Sequence, residues 1–442
     1  MAPLPVDKIP THTGFHFDEV LGIFQMWNYP QHSEPLFPGI SNASVVFWNA
    51  GRKTPDGYYA DEGWIRKNRM CPVGCGGSIF DEHPKEEESE EEERLRPQTC
   101  AALLVAQKLG IDQLPQLQSC LRFAVEVDNN ATDHPHSIAA TIKKLHNNRE
   151  TTPGHVRKWV KDPEQAKRIK ELLQRRISIS DVFEWVQQGI YAKMCEQPQT
   201  DDFTIEKIGE LMQLQGMHEP FSAEDWLRIG TDAMELDQLL FDTVTAEQYQ
   251  AFKTIVPFRG IGRGSKVMDM KIAVVPSDDV RIDRYARSKQ GDQVAVTIIK
   301  RATGNIVVMV NKYYGLRTYD IARAIKTEEC LMRGIELPRW DQMKRQLQHS
   351  VWYYHAPGGN LFNGAKTSPD TPPTVIPLPR IVQLVKMAVS SEAFESSRSE
   401  CCLQGICSST PRQPCSWYKY GLSRCQTIRF EARRDAEAEL NK

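Results

Sequence analysis

The sequence predicts an α/β protein with an N-terminal parallel-sheet domain, a helical connector and a smaller C-terminal α/β domain. Three observations support this class: short apolar segments feed helices early in the chain, a helical apolar period follows, and strands then alternate with helices. The predicted boundaries are 1–150 for the first domain, 151–265 for the connector, 266–390 for the second domain and 391–442 for a tail.

The composition is that of a globular protein. The 442 residues are 40% hydrophobic and 25% charged, which allows roughly two to three domains. The 55 Lys and Arg against 57 Asp and Glu give a net charge of −2, so contact with a polyanion requires a local basic patch or a metal. Without a long apolar window or a signal-like start, we expect an intracellular protein with no membrane partner. Cytoplasm, nucleus and mitochondrion are not distinguished.

Each domain is predicted from a few elements. In the first, 18–28 and 98–109 read as helices, the latter ended by Gly110, and 44–48 reads as a buried strand. In the connector, 156–176 and 180–190 read as helices, and Ser222 with Asp225 forms a capping box. The predicted strands of the last domain are 270–275, 293–300, 305–311 and 351–355, and its helices are 317–332 and 381–389.

Two segments are predicted to be solvated. Residues 86–93 hold seven glutamates interrupted by Ser89, which repel one another. The tail after 390 carries five cysteines whose spacing fits no zinc pattern, so we expect no packed core there.

Histidines and carboxylates cluster in three places. His12, His16 and Asp18 lie in THTGFHFDE, which reads as a loop entering a helix. Asp81, Glu82 and His83 follow Ile79 and Phe80, which look like a strand end. Asp128 ends the apolar run LRFAVEV. The alternatives are a loop with incidental histidines, a turn closed by Pro84 and a helix terminus.

The three clusters together suggest a metal site. Mixed imidazole and carboxylate ligands suit Mn²⁺, Fe²⁺ or Zn²⁺, and the excess of acids suits two neighbouring divalent ions. Two such ions activate a water and neutralise the oxygens of a phosphoester. The spacing therefore favours metal-dependent phosphoester hydrolysis.

The order of these residues resembles the DHH phosphoesterase superfamily. Within it, FHFDE and VDNN resemble the melanocyte-proliferating-gene family of DHH-like 3′-to-5′ RNA exonucleases, most clearly over residues 8–146, and VWYYHAPGGNLFNG resembles its C-terminal part more weakly. The resemblance implies a DHH-like N-terminal catalytic domain that acts on RNA or another phosphoester. It also implies two bound ions, Mn²⁺ first, with Mg²⁺, Fe²⁺ or Zn²⁺ as alternatives.

The resemblance also implies roles for individual residues. His12 and His16 would bind one ion, Asp18 and Asp128 the other, and Asp81 and His83 would serve catalysis at the phosphate. Glu82 stands where the family has the first histidine of its triplet, as a metal ligand. The bridging aspartate expected after the second strand is replaced by Trp48 and Asn49, with Asp61 as a substitute.

The C-terminal domain carries a predicted substrate site. His355, Gly358, Gly359 and Asn360 would clamp a phosphate or ribose, because glycine lets backbone amides approach closely; the alternative is a glycine-rich turn. Arg259, Arg263 and Lys266 form a basic loop. Tyr313, Tyr314, Tyr353 and Tyr354 are available to stack on bases, although paired aromatics beside strands are more often core.

Two functions follow as hypotheses. The first is a divalent-metal phosphoesterase acting from the 3′ end of RNA. The second is a catalytically impaired relative that binds RNA or a protein as a scaffold, which the missing bridging aspartate and Glu82 favour. A zinc peptidase is disfavoured because the chain has no His-Glu-x-x-His motif.

Overall fold

The computed structural model describes residues 3–49, 51, 53–82, 98–130, 134–196, 203–335, 351–355, 358–364 and 371–390. These residues divide into two compact units, the first extending through Val244 and the second beginning at Thr245. The predicted acidic run 86–93 and the tail after 390 lie outside the described residues, as does His83. The α/β class is confirmed.

The first unit contains a small parallel sheet. Strand β1 (Lys8–His12) pairs with β2 (Ser44–Trp48) in parallel, and His12 faces Trp48 in the register. Helix α1 (Phe17–Asn28) lies between them in the chain and packs against the helix Ala101–Leu109. The sheet direction, α1 and β2 were all predicted, but Thr11 and His12, which were expected to lie in a loop, belong to β1. The Pro10 carbonyl accepts a hydrogen bond from the Val73 amide.

Helices build the rest of the first unit. In chain order they are α2 (Pro30–Ser33), α3 (Glu62–Asn68), α4 (Ala101–Leu109), α5 (Pro115–Asn130), α6 (Ile138–Asn148), α7 (Pro153–Trp159), α8 (Pro163–Gln174), α9 (Ile179–Met194), α10 (Ile205–Leu214) and α11 (Ala223–Leu240). Trp185 of α9 and Trp226 of α11 stack at 4.3 Å, and each indole N–H donates to the other's carbonyl. Buried apolar residues from Val182 to Ala233 share a core with the first 150 residues, whereas Val156 and Ile169 belong to a separate cluster that includes Leu240.

Two local predictions in this unit were wrong. The segment 156–176 is not one helix, because Asp162 caps a new helix whose first residue is Pro163; proline lacks the N–H that a continuous helix requires. Ile79 and Phe80 lie in a turn instead of at a strand end, where the Phe80 carbonyl accepts a hydrogen bond from Gly74.

The second unit is a six-stranded mixed sheet covered by helices. Its strands are β3 (Thr254–Ile261), β4 (Val267–Pro276), β5 (Val296–Lys300), β6 (Ile306–Val310), β7 (Tyr353–His355) and β8 (Asn360–Phe362), in the order β3-β4-β5-β6-β8-β7. Only β4 and β5 are parallel in this sheet as described. Strand β3 lies inside the range 151–265, so the sheet begins before the predicted domain boundary.

The helices of the second unit are α12 (Ala246–Phe252), α13 (Ile282–Arg287), α14 (Thr318–Met332) and α15 (Leu378–Val389). Helices α14 and α15 pack together and bury apolar side chains against the sheet. Within the described ranges, every helix is too short or too polar to cross a bilayer.

Candidate metal centre

Imidazoles and carboxylates from three elements converge in the first unit. His12 lies at the end of β1, His16 and Asp18 at the start of α1, and Asp128 near the end of α5. Ligand atoms of His16, Asp18 and Asp128 lie within 4.8 Å of one another, as do those of His12, His16 and Glu19. His16 belongs to both groups. The structure thus contains a possible acidic and histidine metal-binding cluster, which we call the metal centre.

The local sequence explains why these side chains meet. Strand β1 ends at His12, and Gly14 lies in the short turn that reverses the chain into α1. Helix α1 begins at Phe17, so Asp18 and Glu19 occupy its first turn. Carboxylates are favourable there because the N-terminal end of a helix carries partial positive charge. Asp128 approaches from a helix more than a hundred residues later, which only the tertiary fold decides.

Glu19 was missed by the sequence analysis. It is 1% exposed, and its carboxylate accepts a 2.8 Å hydrogen bond from His12 Nε2 and a 2.6 Å bond from the His16 backbone amide. The sequence did contain a signal for Glu19. His16 immediately precedes helix α1, and a Glu three residues after such a residue completes a capping box. Glu19 therefore fixes both histidines in place.

Two polar atoms of the centre lack a hydrogen-bond partner in the described part of the chain. They are Nδ1 of His12 and Oδ1 of Asp18, both buried. The other oxygen of Asp18 accepts a 3.2 Å bond from the amide of Ala101, the first residue of α4. Because an unsatisfied buried polar atom costs about 1–3 kcal/mol, the two atoms fit a site that a cation completes.

The pKa values of Asp18 and Glu19 are shifted in opposite directions. Burial raises the pKa of Asp18 well above its usual range, and the nearby Glu19, Asp128 and Glu82 raise it further. Burial also acts to raise the pKa of Glu19, but the adjacent His12 imidazole and its hydrogen bond outweigh burial and hold that pKa far below its usual range. Negative charge thus accumulates around Asp18, where a divalent ion would neutralise it.

The second predicted cluster is only partly described. Asp81 accepts a 2.8 Å hydrogen bond from the Gly77 amide, and Glu82 lies near enough to Asp18 to affect its pKa. Neither residue belongs to the two ligand groups. His83, predicted to face the phosphate, lies outside the described residues.

Asp61 is placed as a helix cap. Its carboxylate accepts a 2.8 Å hydrogen bond from the Trp64 amide at the start of α3, and the residue is exposed. It belongs to neither ligand group among the described residues. At the end of β2, beside His12, the chain continues into Asn49. The structure therefore does not bring Asp61 to the predicted bridging position.

The predicted substrate residues lie in the second unit, around the turn between β7 and β8. The Gly358 amide donates a 3.1 Å hydrogen bond to Nδ1 of His355, and the Asn360 side chain accepts one from the Val310 amide. Gly359 has a φ of +66°, and a Cβ there would lie 2.7 Å from Cγ2 of Thr318. This close packing requires glycine whether or not a ligand binds.

The loop between His12 and His16 is held by α6. His146 Nε2 donates a 2.9 Å hydrogen bond to the Phe15 carbonyl, and Arg149 reaches the Thr13 carbonyl at 3.5 Å. Burial, with Arg149 next, lowers the pKa of His146 to about 3, so this imidazole is neutral at physiological pH. These support residues were also missed, because nothing in the local sequence connects 146 with 15.

Comparisons with protein-family models, with curated proteins and with solved structures found no match to this chain. The case for the metal centre accordingly depends on its own geometry and chemistry.

Proposed function

We propose that this chain is a divalent-metal-dependent phosphoesterase that shortens RNA from its 3′ end, as the sequence resemblance implies. The observation that carries the proposal is the position of His16, which belongs to two ligand groups whose atoms each lie within 4.8 Å of one another. Because the two groups overlap at His16, they lie side by side, as the ligands of two neighbouring ions would.

The residues present fit such ions. Two imidazoles and the carboxylates of Asp18 and Asp128 are ligands for Mn²⁺, Fe²⁺ or Zn²⁺, with Mn²⁺ first and Mg²⁺ as a further alternative. When bound, the ions would lower the pKa of a bound water, which then serves as the nucleophile, and would neutralise the charge on the phosphoester oxygens. His12, His16, Asp18 and Asp128 would hold them.

Glu19 lies within the second group of candidate ligand atoms and would also orient His12. By accepting a hydrogen bond from His12 Nε2, it leaves Nδ1 of the same ring to face a cation. A carboxylate that orients a metal-binding histidine also raises the basicity of the ring. We assign Glu19 this positioning role.

A specific observation favours a second candidate, an RNA- or protein-binding scaffold without catalysis. The chain has Asn49, not an aspartate, at the end of β2, and a neutral amide bridges two cations poorly because it carries no negative charge. Without the negative charge of a bridging aspartate, the binding of two ions is weakened more than the binding of one.

Hydrolysis of RNA separates the two candidates. Purified full-length chain is incubated with 5′-labelled single-stranded RNA in Mn²⁺ or in EDTA. The enzyme produces a ladder of products shortened from the 3′ end in Mn²⁺ only, Asp18→Asn and Asp128→Asn abolish the ladder, and Asp61→Asn retains it.

Calorimetric titration with Mn²⁺ is the companion measurement. Metal binding that is lost in Asp18→Asn, without cleavage by the wild type, supports the scaffold. Wild-type protein that takes up no Mn²⁺ overturns both the centre and the enzyme.

A further inference from the structure

The second unit carries an exposed surface that combines cations with an aromatic ring. It is formed by the β3–β4 turn, residues 262–266, and by the short 3₁₀ turn Lys312–Tyr314 with the residues that follow it. The exposed cations are Arg263, Lys266, Lys312 and Arg317, and Tyr313 is 76% exposed. We call these five residues the basic tyrosine surface.

Two glycines bring the turns together. A Cβ on Gly262 would lie 2.5 Å from the Tyr314 carbonyl oxygen, and a Cβ on Gly315 would lie 2.9 Å from the Cα of Arg263. Real side chains do not tolerate either distance, so the contact exists only because both residues are glycine. Gly315 also has a φ of +64°, which glycine adopts without strain.

Two hydrogen bonds hold the turn that carries Tyr313. The Asn311 side chain accepts a 3.1 Å hydrogen bond from the Tyr313 amide, and the Tyr314 hydroxyl donates a 2.6 Å bond to the Gln293 carbonyl. Tyr314 is thus anchored, while its neighbour presents its ring to solvent. A large exposed ring on an anchored backbone is preorganised for contact, because little conformational freedom is lost on binding.

The charge of the surface sets the class of partner. Residues 259–269 and 311–317 hold five cations and one carboxylate, Asp269, which pairs with Arg259. None of the four cations in the basic tyrosine surface forms an ion pair within the described part of the chain. This positive charge stands out in a protein of net charge −2, and it attracts a polyanion.

We propose that the basic tyrosine surface binds single-stranded nucleic acid, with a base stacked on Tyr313 and phosphates contacted by the surrounding Arg and Lys side chains. Stacking platforms surrounded by cations are the usual solution for unpaired strands, whose bases are free to stack. An acidic peptide offers the charge without flat rings, and a duplex already has its bases stacked. The site does not depend on the metal centre or on hydrolysis.

Fluorescence anisotropy of a labelled 12-nucleotide oligouridylate, titrated with full-length chain in EDTA, tests the proposal. We expect Tyr313→Ala to weaken binding at least about fivefold and Tyr313→Phe to retain it. Arg263→Ala reduces both affinity and the salt dependence of affinity. Tyr191→Ala, which removes a half-exposed ring of the first unit, is the matched control and leaves binding unchanged.

Two further arms complete the experiment. Gly315→Ala separates the turns and weakens binding, whereas Gly264→Ala, also at positive φ but with open space around it, retains it. Absence of binding, or equal binding of polyglutamate and RNA with no effect of Tyr313→Ala, overturns the proposal. Asp18→Asn should still bind the oligouridylate. The test of the basic tyrosine surface is therefore separate from the test of the phosphoesterase proposal.

Discussion

The buried carboxylate of Glu19 accepts a 2.8 Å hydrogen bond from the imidazole of His12, seven residues earlier, across the turn between β1 and α1. Nδ1 of His12 has no partner in the described part of the chain. The pair therefore has the form of an oriented ligand and its supporting acid.

The first prediction concerns this support. Glu19→Gln removes the charge behind His12, so we expect the affinity for Mn²⁺ to fall about 10- to 100-fold, measured by isothermal titration calorimetry. Glu34→Gln is the control, because Glu34 also accepts backbone hydrogen bonds, from Gly39 and Ser41, but belongs to neither ligand group. Equal Mn²⁺ affinity in the two variants would show that Glu19 has no role in the centre.

The second prediction uses a glycine that packs on Glu19. Gly74 has a φ of +68°, and a Cβ there would lie 2.4 Å from Cγ of Glu19. Gly74→Ala must displace that side chain, and we expect weaker Mn²⁺ binding together with a loss of stability of about 1–2 kcal/mol from the left-handed backbone alone. Gly57→Ala, at a φ of +86° with nothing within 4 Å, should lose stability only. Unchanged metal affinity in Gly74→Ala would contradict the prediction.

The third prediction separates stability from binding at Asp18. Its raised pKa means that ionisation destabilises the folded protein above the carboxyl pKa of the unfolded chain. Asp18→Asn removes this penalty at pH 7, so the metal-free variant should be as stable as the wild type or more so in urea unfolding. The increase in stability that Mn²⁺ gives the wild type should be absent. A variant that loses stability without metal would indicate a structural role.

The fourth prediction is a pH dependence. The pKa of His146 falls to about 3 in the folded protein, against about 6.5 in an unfolded chain. The unfolded state therefore binds a proton below pH 6.5 that the folded state rejects, and stability falls as the pH drops. Between pH 7.5 and pH 5 this one residue should account for a loss of about 2 kcal/mol.

Comparison with a variant isolates that contribution. His146→Gln should lose less stability over the same pH interval than the wild type, whereas His134→Gln, at an exposed histidine, should follow the wild type. Chemical denaturation at several pH values provides the measurement. Parallel curves for wild type and His146→Gln would refute the assignment.

The elements with strong local signals were readable from the sequence, whereas strands β1 and β3 and helices α6 and α10 were not predicted. Apolar periodicity, capping residues such as Ser222 and punctuating glycines such as Gly110 placed the helices and strands close to their observed ends. Two of the failures were local conflicts. Pro163 divided a charged segment whose composition favours a helix, and the run ending at Phe80 became a turn in which the Phe80 carbonyl accepts a hydrogen bond from the Gly74 amide.

The candidate site divides in the same way. The sequence by itself placed His12, His16 and Asp18 in one short segment that enters a helix, because the three residues are close along the chain, but it did not predict the strand that ends at His12. Only the tertiary structure decided that Asp128 joins them, that Glu19 supports them and that Asp61 caps a helix elsewhere. The physical reason is that a carboxylate has the same chemistry in a ligand, an orienting acid or a cap, and packing between distant helices selects among these roles.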